Sequence, residues 1–369
     1  MTLSMIASPA VTPAPDLYLP SNAQTLLAAL ASALGTDYPS EIVYLDDDTP
    51  LPDYVVAGIR THFPQLTFSL RSDRSAIEEF ASLPHPVPDL IRRNVAPSLR
   101  GLRRPHHRPP GWLGPRYRTA YIYLSGNFVS KTLRRRCQTI VLREEGLPNY
   151  HSLRFGPGKA LLRLAFGLSP RHQIMGEEGW IDRIEMNRPD ALPAKLQRKA
   201  RQVTFPELMN RLPAGQARTL AGIFWEGPPP APIEASALVL TQPIDAIGFC
   251  TASEKRVIYR SIRRRLAEAG FAVVVKRHPR ERAEPAEDSE ELVIPPFFPI
   301  EAWPWLARQK FDLAVALCTA ALNSMGGLFS HRQLQLVDPG PFGRKDLGDW
   351  QARLDDYCQT LSRPGSGES

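Results

Sequence analysis

Cysteine is scarce in this chain and poorly placed for chemistry. Four occur in 369 residues, Cys137, Cys250, Cys318 and Cys358, and no two have the spacing of a metal-ligand pair. A disulfide framework is not expected, and a reducing compartment is the default. Long apolar runs are also missing, since no stretch approaches the ~18 residues of a membrane span. Met1 to Pro15 has no basic n-region before its weak apolar stretch, which makes it a poor signal peptide. The expected location is the cytoplasm, with peripheral contact at the inner face of the membrane as an option. There is no Walker loop, no Gly-x-Gly-x-x-Gly, no Gly-x-Ser-x-Gly and no zinc spacing. These absences weigh against the common NTPase, dinucleotide-binding, α/β-hydrolase and zinc-protease classes. No internal repeat stands out.

What the chain does contain is typical of a soluble globular protein: 43% hydrophobic and 22% charged residues, with length enough for two domains. Its 37 prolines fall largely in loops, as in Pro228-Pro229-Pro230, and suggest stiff connections. The net charge is +7 and the pI about 9.3, a balance that favours anionic partners. The charge is uneven. Residues 92 to 136 hold Arg92, Arg93, Arg100, Arg103, Arg104, Arg108, Arg116, Arg118, Lys131, Arg134, Arg135 and Arg136 without one acid. That stretch reads equally as a solvated basic loop or as a patch for an acidic acceptor or a membrane surface.

Strand-like and helix-like runs alternate along the chain. After a loose tail over residues 1 to 15, strands are expected at 16–19, 42–45 and 66–70, with helices at 21–34 and 54–62. Ser21 with Gln24 three residues on suggests the cap of the first helix. A Pro/Arg-rich insert covers 84–118. Strands at 120–124 and 139–142 follow, then a helix at 160–166, a strand at 181–186 and a helix at 206–212. Gly227 to Pro232 reads as a linker between a domain over 16–226 and another over 234–345, with a terminal helix and tail over 346–369. The second domain restarts the alternation with strands at 237–240, 273–275, 292–294, 313–317 and 334–337. A helix is expected at 253–269, its apolar stripe carried by Ile258, Ile262 and Leu266. The fold class expected is α/β, with two Rossmann-like domains facing a central cleft.

Three polar clusters sit just past apolar runs. Thr139-Ile140-Val141-Leu142 delivers Glu144-Glu145-Gly146, Phe271 to Val275 delivers Lys276-Arg277-His278-Pro279-Arg280, and Asp312 to Leu317 delivers Cys318-Thr319. Ligands collect beyond the carboxyl ends of strands in open α/β sheets. Adjacent residues leaving a strand point in opposite directions, so one glutamate can face a cleft while the other anchors the turn. Burial beside a like charge raises a carboxyl toward the range of a general base. Gly146 permits a sharp turn and a close approach. His278, in a basic setting, can hydrogen-bond or protonate a leaving phosphate. Thr319 opens a helix expected over 319–329, a ready anion site. Each cluster also has an ordinary reading: a solvent-facing turn, a basic loop, a plain helix cap. Glu177-Glu178-Gly179 repeats the letters after a poor strand and is expected to be a surface turn. Asp46-Asp47-Asp48 could hold a metal, but an acidic turn ahead of Pro50 is the expectation.

The ordered set resembles bacterial sialyltransferases, in particular the capsule polysialyltransferase and lipooligosaccharide sialyltransferase groups. Their acidic-acidic-glycine, His-Pro and Ser/Thr motifs match Glu144-Glu145-Gly146, His278-Pro279 and Cys318-Thr319. Leu240-Thr241-Gln242-Pro243, Lys276 and Pro299-Ile300-Glu301 look similar too. The resemblance spans roughly residues 16 to 340. It implies a GT-B glycosyltransferase fold, a CMP-sialic acid donor, anomeric inversion and no metal or other cofactor. It also implies a base at Glu144, with Glu145 as the alternative, and an acid at His278. Lys276, Pro279, Gly146, Cys318 and Thr319 would surround the donor, Thr319 on its phosphate and Glu301 on the CMP ribose. The acceptor would be a glycan or glycolipid of the cell surface, with an acidic chain as one option, and no nucleic acid is expected. Two departures stand out: Cys318 replaces the usual first hydroxyl, and the insert at 84–118 has no identifiable counterpart. The rivals are a transferase with another donor, including a UDP-sugar with Asp46 to Asp48 on a metal, and a non-catalytic polyanion-binding protein.

Overall fold

Short apolar runs separated by helical stretches favour parallel sheets, and the chain forms two large ones. The computed structural model of the chain describes residues 13–82, 109–146, 149–150, 153–154, 157, 160, 172–246, 248–281, 292–307, 309–337 and 347–361. The first sheet contains β1 (Asp16–Leu19), β2 (Ser40–Leu45), β3 (Thr67–Arg71), β4 (Tyr117–Ile122), β5 (Cys137–Arg143), β6 (Arg183–Met186) and β7 (Ala200–Gln202). They lie in the order β3-β2-β1-β4-β5-β6-β7, and every neighbouring pair is parallel. The second sheet contains β8 (Ser236–Leu240), β9 (Ala272–Lys276), β10 (Leu292–Ile294), β11 (Phe311–Ala316) and β12 (Ser330–Gln335), in the order β10-β9-β8-β11-β12, again all parallel. Each sheet changes its direction of growth beside its first strand. A crevice opens at the carboxyl ends there.

The helices are α1 (Ala23–Leu34), α2 (Asp53–His62), α3 (Asp73–Ser82), α4 (Phe128–Thr132), α5 (Ala194–Gln197), α6 (Phe205–Asn210), α7 (Ala214–Gly222), α8 (Ala252–Glu268), α9 (Trp303–Leu306), α10 (Ala320–Phe329) and α11 (Trp350–Leu361). Most expected elements occur within a few residues of their expected bounds, but α3, α4, α5, α7, α9 and β7 were not foreseen. Helix α1 is capped by Asn22 and Thr25, not by Ser21 and Gln24: Asn22 Oδ1 accepts the Thr25 N–H at 2.9 Å, and Thr25 Oγ1 accepts the Asn22 N–H at 3.1 Å. The basic segment up to residue 108 and nearly all of the 160–166 stretch lie outside the described residues, as do both chain ends. Among the described residues no helix is long and apolar enough to cross a membrane.

Strand alternation sorts side chains onto two faces. Leu17, Leu19, Val43 and Leu45 face an outer core of the first sheet, while Tyr18, Ile42 and Tyr44 face inward. In the second sheet Ala237, Val239, Leu313 and Val315 face an outer core covered by α8 and α11, while Leu238, Leu240, Ala314 and Ala316 face inward. The two inner faces belong to one continuous apolar cluster. Aromatic rings join the halves within it. Phe205 of α6 meets Trp305 edge-on at 5.5 Å, and Trp225, just before the linker, meets Phe298 at 5.3 Å and Trp303 at 6.2 Å. Two Rossmann-like sheets joined by a short linker and packed through their inner layers make the GT-B fold.

Candidate active site

The carboxyl end of β5 carries the acidic turn. The Glu144 N–H still donates to the Glu185 carbonyl at 3.1 Å, so the ladder reaches the first acid before the chain turns away. Gly146 has φ 153, a backbone that side-chain-bearing residues rarely adopt, so glycine is required at this turn. Fully buried Asn149 fixes the turn by accepting the N–H groups of Glu145 (2.8 Å) and Gly146 (3.0 Å) on Oδ1. One oxygen of Glu144, Oε2, accepts the Tyr150 hydroxyl at 2.5 Å and the Asn187 N–H at 2.8 Å. Burial pushes the Glu145 carboxyl above its usual range. The charge of Asp48 adds to that rise and Arg280 opposes it.

Beneath Glu144 lies a rigid polar floor. Buried Arg143 donates to Glu185 Oε2 at 2.8 Å and to Ser32 Oγ at 2.5 Å, and it lies 4.1 Å over the ring of Tyr121. Tyr121 stacks on Tyr18 at 4.7 Å. A recess of ≈ 40 Å³ opens above this floor, lined by Gln24, Tyr123, Arg143, Glu144, Asn187 and Met325. That is room for about three waters. Met325 belongs to α10, so the recess has walls from both halves.

The facing half gathers the ends of β8, β9 and β11. Gln242 ties the first to the third: Cys318 N–H donates to Gln242 Oε1 at 3.0 Å, and Gln242 Nε2 donates to the Cys318 carbonyl. Past β9, the His278 N–H donates to Glu281 Oε2 at 2.7 Å, and the Arg280 N–H donates to His278 Nδ1 at 3.1 Å. With Nδ1 accepting, the ring proton resides on Nε2. Burial lowers the His278 pKa to about 4, helped by the charge of Lys276 and opposed by Glu281, so the ring is neutral at pH 7. Lys276 turns its ammonium into its own domain, where it donates to the carbonyls of Arg277 (2.7 Å) and Pro296 (2.6 Å). Burial lowers its pKa to about 8, against the pull of Glu301 and Glu281. Its position braces the loop under His278. Pro279 is half-buried within that loop. Thr319 is the N-cap of α10, its hydroxyl accepting the Ala321 N–H at 3.3 Å.

The two strand-end sets meet across one cleft. Arg280, two residues past His278, acts electrostatically on Glu145 and Tyr44 of the first half. Buried Glu301 of the second half feels the charge of Glu144: its carboxyl is raised by burial and by Glu144, against its own backbone bond and Lys276. Arg280 and Glu301 thus lie within electrostatic reach of the acidic turn, and the recess beside Glu144 is lined by neither His278 nor Thr319.

Other candidates have different employment. Asp47 accepts from Ser72 Oγ (2.7 Å), the Asp73 N–H (2.7 Å) and the Arg74 N–H (3.1 Å), which caps α3. Burial pushes its carboxyl up, but those bonds outweigh it and hold it below the usual range. Asp48 pairs with Arg74 at 3.2 Å. Among the described residues no three His, Cys, Asp or Glu side chains are grouped to hold a metal ion. The Glu177-Glu178-Gly179 stretch is not the expected surface turn: Glu178 accepts the Ser125 hydroxyl at 2.8 Å and the Gly176 N–H at 3.0 Å, and burial raises its pKa. Beside it Gly176, at φ +94, packs where a side chain would strike Ile184. Sequence reasoning missed Asn149, Tyr150, Asn187, Lys255 and Glu281. Only Glu281 left a signal, a carboxylate three residues past the histidine, at the spacing that closes a turn.

No family model matches the chain, and no curated protein sequence matches it. Among solved structures it is similar to the GT-B domain, residues 113–497, of a sialyltransferase from Photobacterium damselae. That similarity covers 85% of this chain and 89% of the other, at 11% identity and a TM-score of 0.46.

Proposed function

We propose that this chain is an inverting glycosyltransferase that moves sialic acid, or a similar acid sugar, from a CMP donor to a surface glycan. The reading is supported by the nearness of the two strand-end sets: Arg280, two residues past His278, acts on the Glu145 carboxyl, and the charge of Glu144 acts on Glu301 of the other half. An inverting transfer needs a base on the acceptor hydroxyl and charge stabilisation on the leaving phosphate, on opposite faces of one sugar. Two sheets across a cleft provide those faces.

Glu144 is the base in this reading. Its Oε2 is occupied by Tyr150 and Asn187, which orients the carboxylate at the recess and leaves Oε1 for an acceptor hydroxyl. The hydroxyl loses its proton to Glu144 as its oxygen attacks the anomeric carbon, and the bond from that carbon to the phosphate oxygen breaks. His278 begins neutral and offers Nε2–H to the departing phosphate, so its first contribution is a hydrogen bond. Negative charge beside it favours the imidazolium, so a ring protonated from solvent when the donor is bound can pass that proton to the phosphate oxygen as the bond to the sugar breaks. The Thr319 hydroxyl and the helix start it caps add donors and a favourable dipole for a phosphate. Glu145, buried with a raised pKa, is the runner-up base, and Glu301 and Lys276 shape the donor side from within.

Glu144→Gln and His278→Ala are each expected to lower transfer by at least about a hundredfold, the scale of general acid–base groups. Melting curves should stay cooperative. Near-normal transfer from CMP-sialic acid by either variant removes that residue from the scheme.

A further inference from the structure

Glu281 is not part of any motif that the sequence singled out, yet its carboxylate has three polar partners beside His278. Its Oε2 accepts the His278 N–H at 2.7 Å and also the Thr241 hydroxyl. Its Oε1 pairs with Lys255 Nζ at 2.6 Å, both side chains being under a tenth exposed. Lys255, on α8, also reaches Asp245 at 3.3 Å. Thr241 is pinned from its other side, its N–H donating to the Lys276 carbonyl at 3.0 Å. The turn from His278 to Glu281 is therefore closed twice, by this carboxylate and by the Glu281 N–H donating to the His278 carbonyl at 3.0 Å. That closure brings the Arg280 N–H onto Nδ1. The ends of β8 and β9 and the first turn of α8 are all referenced to one carboxylate.

We infer that Glu281, anchored by Lys255 and Thr241, is the positioning residue that holds the His278 turn closed, so that Nδ1 is occupied and Nε2 is the ring nitrogen presented to a leaving phosphate. The inference rests on the reading of His278 given above, and it adds a role for a residue which touches neither sugar nor nucleotide. The carboxylate also sets charge. Lys276, Arg280 and Lys255 all disfavour the imidazolium, and Glu281 is the neighbour that favours it. Without Glu281 the ring is harder to protonate, and Nδ1 loses the turn that keeps it engaged.

The experiment compares the full chain with Glu281→Gln, Lys255→Met/Glu281→Gln and His278→Ala. Glu281→Gln alone leaves the buried Lys255 ammonium with only the longer Asp245 contact and can fail to fold for that reason. The paired variant removes both charges together and is the deciding one. Three readouts are taken: thermal melting, kcat and KM for transfer from CMP-sialic acid, and the ¹⁵N shifts of the His278 imidazole. A folded paired variant should lose about tenfold to a hundredfold in kcat, the scale of a misplaced catalytic group, with acceptor KM little changed. Its imidazole signature should move from a pure Nε2–H tautomer to a mixture. A folded paired variant that keeps either the wild-type kcat or the wild-type tautomer signature overturns the inference. Full transfer by His278→Ala would instead sink the functional reading, while the ¹⁵N measurement would still decide whether Glu281 holds the ring.

Discussion

His278 is held neutral because its half-buried ring is partly withdrawn from water and because Lys276 stands behind it. That has a consequence for stability with a definite sign. In the unfolded chain the imidazole takes a proton near its ordinary pKa of about 6.5, whereas the folded ring resists until about 4. Between those values the unfolded state binds more protons, so stability rises with pH and is lost as the medium is acidified. The component is complete above about 6.5 and drains away toward about 4. The wild-type melting temperature minus that of His278→Gln should therefore shrink as pH falls from about 7 to about 4.5. A difference that stays constant over that range would mean that the ring is not buried as described. The groups that act on it, Lys276, Glu281, Arg280 and Lys255, are unchanged in the variant, so the comparison isolates the imidazole. His278 and Glu144 were legible in the sequence, because a polar residue just past an apolar run lands at a strand's carboxyl end. Tyr150 and Asn187, which orient Glu144, were not legible. One is a tyrosine in a turn and the other an asparagine after β6, and neither differs in local pattern from an ordinary surface residue.

Helix starts in the first half depend on acids far away in sequence. Asp47, at the end of β2, caps α3 through Ser72, Asp73 and Arg74. Asp73 then accepts the N–H groups of Phe128 (2.9 Å) and Val129 (2.8 Å), which caps α4. One acidic residue after another thus fixes where an element begins. Asp47→Ala should cost about 1–2 kcal/mol of stability, the usual value of a lost helix cap, and leave kcat for transfer nearly unchanged. If Asp47 instead held a catalytic metal, transfer would collapse in the variant and EDTA would inhibit the wild type. Measuring both separates the two roles. The helices α1, α2, α8 and α10 were foreseen because their apolar spacing and start signals are local. The short α7 was not, since Ala214–Gly222 carries two glycines and draws its stability from packing against α1 and α9.

The two sheets share one inner core, so neither half is an independent bead on a string. Leu240 and Phe311 of the second sheet belong to the same apolar cluster as Tyr44 of the first sheet and Leu26 of α1. Trp225, Trp303 and Phe298 close that cluster beside the linker, and such aromatic pairs add about 0.5–1.5 kcal/mol each beyond their buried area. A nucleotide seated against the strand ends of the second sheet would bind only the folded chain and raise its melting point. CMP is expected to do so more than UDP or GDP. At a hundred times its Kd the gain would be about 2.7 kcal/mol, an easily measured shift. Equal stabilisation by UDP would move the reading to another donor, and none by any nucleotide would favour the polyanion-binding alternative.

Local pattern was enough to indicate two α/β halves and to mark three strand ends as chemical ground, because side-chain period and turn residues are written in neighbouring letters. It also marked Gly146 as a turn residue, but the φ of 153 that favours glycine there is set by the fold. What it could not contain is pairing between distant segments. That Asp47 belongs to a helix start, that Lys276 points inward, that Glu178 is tied to Ser125 and that Glu281 pairs with Lys255 all follow from separations of a few ångströms between residues up to 53 positions apart, as with Ser125 and Glu178. Burial and hydrogen bonding decide which of several like letters carries charge, and both exist only once the chain has folded.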